Sequence, residues 1–200
     1  MNQKEYKMNI VANTCIGAYI TRDILKEKYQ NPFQWNIIDY DSLYLLVEHW
    51  NDLKNYQVMC KILDKNDFPT IILDDRIKID FVHIKKTSCI NKTDKNQNNV
   101  FIEDNKIIDY TLTKFHERMN RINEEPTFII QHQPNHPITG NTTKLLNLYN
   151  NVKTSYPIII LTNNKNMISK NNILVLHING KLDIPKEMAH LLGNIMKKYN

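Results

Sequence analysis

The patterned part of the chain begins with a short apolar run, Met8-Asn9-Ile10-Val11-Ala12, after which apolar residues recur at helical spacing. That change of period predicts a strand over 8–12 and a helix over 16–28. The next segment, Gln30-Asn31-Pro32-Phe33-Gln34-Trp35, is a proline-punctuated turn carrying two large aromatics. Asp39 or Asp41 can cap a second helix, in which Leu43, Leu46, Val47 and Trp50 fall on one face. Residues 56–63 read as a strand. Two further apolar runs, Pro69 to Leu73 and Ile77 to His83, flank Asp74-Asp75-Arg76 as the arms of a short-loop hairpin.

Residues 86–99 are polar, rich in Asn and Lys and without period, as a lid or a tolerated insertion would be. A third helix is expected over 109–123, stopped by Glu124-Glu125-Pro126, and a buried strand over 127–131. The loop 131–140 holds two prolines and two histidines, His132 and His136. A helix over 142–152, strands over 157–162 and 173–178 and a closing helix over 186–199 complete the pattern. Strands that alternate with helices at both ends, around a central hairpin, define an α/β fold. Its sheet is mostly parallel and flanked by helices, with an antiparallel hairpin element. The whole of 1–200 reads as a single α/β domain, divisible at most into sub-lobes 1–125 and 126–200.

Composition narrows the function more than the fold. Hydrophobic residues make up 42% of the chain and mean hydropathy is −0.50, which suits a globular domain rather than a disordered one. The net charge of +5 is scattered among acids, so the clustered basic face of a nucleic-acid binder is missing. Three cysteines, Cys15, Cys60 and Cys89, form no CxxC pair, which disfavours a disulfide framework and a cysteine zinc site. A reduced cytoplasm is the expected compartment. The first residues are polar and no apolar run reaches spanning length, so stable membrane insertion is not expected. With only four glycines there is neither a dinucleotide fingerprint nor a phosphate loop, and HExxH and GxSxG are also missing. No cofactor or metal is implied, and nothing in the pattern sets an oligomeric state.

Candidate chemistry centres on Cys15. It falls at the predicted strand-to-helix turn, where free backbone N–H groups and the helix dipole lower a thiol pKa and stabilise an oxyanion. A free cysteine there is either a nucleophile or a small apolar residue packed under the helix start. A nucleophile needs a base, and His83, at the end of the hairpin's second arm, is the best placed of seven histidines. Its other reading is a strand histidine bonded to backbone. Asn13 can cap the first helix or lend its amide to an oxyanion. Asp80 is the nearest acid to His83, but strict alternation along a strand would put the two on opposite faces, which leaves a third member unassigned. His132 and His136 could pair at a metal, though no carboxylate accompanies them. Arg118 and Arg121, three apart on one helical face, can grip a carboxylate or phosphate or form a salt-bridged face.

Several of these pieces occur in a known order. Asn13-Thr14-Cys15-Ile16-Gly17-Ala18, the turn Pro32-Phe33-Gln34-Trp35, the stretch Phe81-Val82-His83-Ile84-Lys85 and Arg118-Met119-Asn120-Arg121-Ile122-Asn123 together resemble the papain-like cysteine peptidase domains of bacteria. The opening motif also resembles a related exopolysaccharide-biosynthesis family. The resemblance spans residues 8–131. It departs at Ile84 and Gln34, where the peptidase-like group tends to carry acids. It implies a cysteine-dependent hydrolase or acyltransferase with a Cys15–His83 site and Asn13 at the oxyanion, acting on a small-molecule, peptide or saccharide substrate. The alternative is a surface-polysaccharide biosynthesis protein, either a sugar or sugar-phosphate transferase or a non-catalytic binding partner. There Phe33 and Trp35 would stack on sugar and Arg118 and Arg121 would hold phosphate.

Overall fold

Four parallel strands, β1 (Asn9–Ala12), β5 (Pro126–Gln131), β6 (Ile158–Thr162) and β7 (Ile173–His177), lie side by side in the order β1-β5-β6-β7. The computed structural model describes residues 9–24, 31–34, 36–63, 68–84, 104–120, 122, 125–132 and 139–178. The expected loop 86–99 and closing helix 186–199 lie outside the described residues, as do Trp35, Cys89, Arg121 and His136. A second sheet is antiparallel, with β2 (Val58–Ile62), β3 (Pro69–Leu73) and β4 (Ile77–Asp80) in that order. The fold is therefore α/β, with a mostly parallel sheet and a separate antiparallel element.

The near-continuous apolar runs of β5 and β6 follow from burial on both faces. Val11, Phe128, Ile130, Ile158, Ile160, Ile173 and Val175 join one core cluster, with residues of α2 (Tyr40–Glu48), α3 (Asp104–Met119), α4 (Thr142–Asn151) and the antiparallel sheet. The alternate residues Ile10, Ala12, Ile129, Ile159 and Leu161 face the other way and pack with Ile16 and Ile20 of the first helical segment. β1 pairs with β5 from Asn9↔Pro126 to Ala12↔Ile129, so the segments before and after residue 125 share one sheet.

The local signals are visible in the elements they predict. Asp39 is the N-cap of α2 and accepts the Ser42 N–H at 2.7 Å. Asp74 and Asp75 both take positive φ, 51° and 58°, as a primed hairpin turn requires, and Arg76 N–H returns to the Leu73 carbonyl. The third helix begins at Asp104, earlier than the pattern predicts, and buries Ile107, Thr111, Phe115 and Met119, one per turn.

The segment after β1 departs most from expectation. α1 is a single turn, Ile16–Tyr19, continued by a π-helical stretch, Ile20–Ile24. Gly17 explains the close fit of this turn to the sheet, because a β-carbon there would lie 2.9 Å from the Ala12 β-carbon and 3.2 Å from the Ile10 γ2 methyl. The aromatic turn covers the outer edge of β1. Asn31 donates to the Ile10 carbonyl and to Asn9 Oδ1, both at 2.7 Å, and Ala12 N–H reaches the Phe33 carbonyl. Among the described residues, this edge of β1 is thereby covered by the turn rather than by another strand.

Candidate active site

The site is assembled by the segment between the aromatic turn and α2. Ile38 N–H donates to the Asn13 carbonyl at 3.1 Å, just past the end of β1. Its neighbour Ile37 forms an antiparallel bridge with Asp80, the last residue of β4. One short stretch of backbone thus holds the ends of two different sheets together. Beyond Asp80 the chain leaves the strand and turns, with Val82 N–H on the Asp80 carbonyl and Ile84 N–H on the Phe81 carbonyl. Strand alternation does not extend to residue 83, and the turn delivers its side chain toward β1.

The result is direct. Cys15 Sγ lies 2.9 Å from His83 Nε2, across 68 residues of sequence. Cys15 is half-buried and is the N-cap residue of α1, and His83 is exposed, so the pair opens to solvent on the histidine side. The expectation of a depressed thiol pKa is reversed. Burial pushes the Cys15 thiol up, and its own backbone N–H offsets this only in part. A one-turn helix supplies too few aligned peptide dipoles to outweigh that desolvation. The resting sulfur is a protonated thiol within hydrogen-bond reach of His83 Nε2.

Asn13 serves neither of its predicted purposes. It is buried, and its carboxamide faces β5, with Nδ2 donating to the Gln131 carbonyl at 2.9 Å and Oδ1 accepting the Gln131 N–H at 2.8 Å. It extends the parallel ladder by a side-chain rung and fixes where β1 ends. Thr14 continues this link: its hydroxyl donates to Gln131 Oε1 at 2.6 Å and accepts the Ile16 N–H at 3.4 Å.

The acids and the other histidine have separate partners. Asp80 accepts the Thr70 hydroxyl at 2.6 Å, and burial raises its carboxyl pKa despite that bond. His132, 1% exposed, is held at Nδ1 by the Thr139 carbonyl at 2.7 Å and at Nε2 by the Thr142 hydroxyl at 3.2 Å. Tyr40 adds its hydroxyl, 3.0 Å from Nδ1 and donating to the same Thr139 carbonyl at 2.8 Å. Both ring nitrogens are engaged, so His132 ties α2, β5 and α4 together rather than facing a ligand. Among the described residues no group of three His, Cys, Asp or Glu is arranged to hold a metal ion.

The proposed binding residues are dispersed. Phe33 is fully buried, its ring 5.5 Å from Trp50 and 6.4 Å from Phe115, a core position closed to a stacking sugar. Gln34 is also buried and donates to the Thr21 hydroxyl at 3.0 Å, where an ionised acid would be costly. Arg118 is half-buried in the last turn of α3. The adjacent Met119, with Trp50, Leu53, Ile122 and Tyr156, lines a cleft at the amino-terminal ends of β5 and β6. That is the opposite end of the sheet from Cys15. Cys60, in β2, has its thiol pushed up to about 11 by burial. Gln131 is the residue that sequence reading passed over, since its contacts are made by Asn13 and Thr14 far away in the chain.

Compared with known proteins, the chain matches no family profile and no curated protein. Among the described residues, no helix is long and apolar enough to cross a membrane.

Proposed function

We propose that the chain is a cysteine-dependent hydrolase or acyltransferase, with Cys15 as nucleophile and His83 as its base. The observation that carries this reading is the 2.9 Å contact between Cys15 Sγ and His83 Nε2 at the carboxyl end of a parallel sheet, where α/β folds place their ligands. As a substrate carbonyl approaches, the S–H proton passes to His83 Nε2 and the S–C bond forms. The carbonyl π pair moves onto oxygen. Collapse of that oxyanion restores C=O and expels the leaving group, which takes the proton back from His83. Water or a second acceptor then repeats the sequence on the acyl-enzyme, freeing the thiol. Because burial keeps the thiol protonated, His83 acts as a general base during attack.

The likeness to papain-like peptidase domains supports the same assignment of Cys15 and His83. The polysaccharide reading has less support, because Phe33 is buried away from any ligand. A free thiol nucleophile fits a reducing, cytoplasmic setting.

An acyl-transfer assay with p-nitrophenyl acetate tests the proposal, in a chain whose Cys60 and Cys89 are replaced by Ser. Cys15→Ala should abolish formation of the acyl-enzyme. His83→Ala should lower its rate at pH 7 by about 10²-fold or more. Raising the pH should recover part of the His83→Ala rate above the ordinary thiol range, as the buried thiol ionises unaided. Acylation that survives both substitutions at pH 7 would refute the reading.

A further inference from the structure

We infer that the ring of Tyr19 receives the acyl group of the substrate and selects acyl groups that carry an aromatic ring; the inference rests on the Cys15–His83 reading. Tyr19 is 48% exposed, on a segment that buries its other large apolar residues, Ile16 and Ile20. Its N–H donates to the Cys15 carbonyl at 3.3 Å, so the two residues stand one helical turn apart. Residues at that spacing share a face, with β-carbons roughly 5–6 Å apart. Residues 16–18, 20 and 21 are buried, whereas 19, 22 and 23 are exposed, and half-buried Cys15 heads that outward stripe. Helical side chains lean toward the amino end of their helix, so the patch that Tyr19 covers lies over the turn that begins at the thiol.

The ring is backed by Arg22, whose guanidinium carbon lies 5.2 Å from its centroid. Asp23 grips that guanidinium at Nε, 2.7 Å, and at Nη2, 2.9 Å, so its charge is answered within the stripe. Beside the thiol the stripe therefore presents a π face in a locally neutral setting, which suits a flat apolar group better than an anion. The chemistry decides which part of the substrate this face meets. The leaving group takes its proton from His83 and must lie against the imidazole, 2.9 Å from the sulfur. The acyl group stays on sulfur, and the surface next to it on the helix that carries Cys15 is Tyr19. A phenyl ring two carbons from the attacked carbonyl spans one turn of side chains. The same spacing holds in a peptide whose aromatic residue supplies that carbonyl.

Two esters with the same leaving group separate this role from the Cys15–His83 chemistry: p-nitrophenyl hydrocinnamate, whose phenyl ring is two carbons from the carbonyl, and p-nitrophenyl acetate. With each, the S–C bond forms, the ester C–O bond breaks and p-nitrophenol leaves with the proton that His83 carried. Acylation is measured in the chain whose Cys60 and Cys89 are replaced by Ser, and each rate is divided by that of the same ester with free mercaptoethanol to remove its intrinsic reactivity. The parent should prefer the hydrocinnamate by about 10-fold, and Tyr19→Phe should keep that ratio. Tyr19→Ala should bring the ratio to about one while its acetate rate stays close to the parent's. An undiminished ratio in Tyr19→Ala, or a parent without preference, would overturn the inference and leave the thiol reading standing. Equal losses with both esters would also overturn it, since they mark a role toward the shared leaving group or in placing Cys15. If Cys15→Ala itself acylates normally, the thiol reading falls and the role of Tyr19 with it.

Discussion

Gly17→Ala is the substitution that most directly couples the fold to the site. The added β-carbon would lie 2.9 Å from the Ala12 β-carbon, where ordinary contacts begin at 3.4 Å, and 3.2 Å from the Ile10 γ2 methyl. Both neighbours belong to β1 and are fully buried, so the strand cannot move aside. The helical turn must lift by roughly half an ångström or more. Overpacking of this kind costs about 1–3 kcal/mol, and the better helix propensity of alanine returns at most about 1 kcal/mol. A net loss of about 1–2 kcal/mol is expected in urea unfolding. Cys15 is the N-cap of that turn, two residues before Gly17, and travels with it. Sulfur that withdraws from His83 should lose acyl-transfer rate, and a displacement approaching 1 Å costs up to about 10²-fold. Adding Ala12→Gly in the same chain removes the nearer clash and should restore much of the rate, so the two changes would be strongly non-additive. Gly17→Ala with parental stability and parental acylation would show that the close approach of turn and strand does not position the thiol.

Two further substitutions test the scaffold on either side of the pair. Asn13→Ala removes two buried bonds to Gln131 and leaves that strand end unsatisfied, so urea unfolding should show a loss of about 2–3 kcal/mol; unchanged stability would mean that the rung is not used. His132 is held neutral, its pKa lowered by burial. The unfolded chain binds its proton more readily, so the stability from this group is present above about pH 6.5 and is lost as pH falls through that value toward the folded pKa. Melting temperature followed from pH 7.5 to pH 5 should fall more steeply in the parent than in His132→Gln, and parallel curves would contradict a neutral buried His132.

What the sequence reveals and conceals divides along a physical line. Features set by neighbouring residues are legible: the apolar runs that become β1, β5, β6 and β7, the Asp39 cap, and the paired aspartates that turn the hairpin. The early start of α3 was also available, since Ile107, Thr111, Phe115 and Met119 keep the helical spacing although their exposed neighbours are polar. The meeting of Cys15 with His83 depends instead on backbone bonds made by Ile37 and Ile38, whose side chains take no part and leave no pattern to read. The same holds for Asn13, whose polar character suggests a cap or a catalytic amide until the next strand is in place. Burial then alters the chemistry, because a turn that exposes backbone donors also covers the sulfur, and desolvation outweighs a one-turn dipole. A thiol that burial keeps protonated is quiet at rest. In the proposed reaction that proton would leave only when a carbonyl arrives, which makes the 2.9 Å placement of His83, and not the acidity of Cys15, the feature on which turnover would depend.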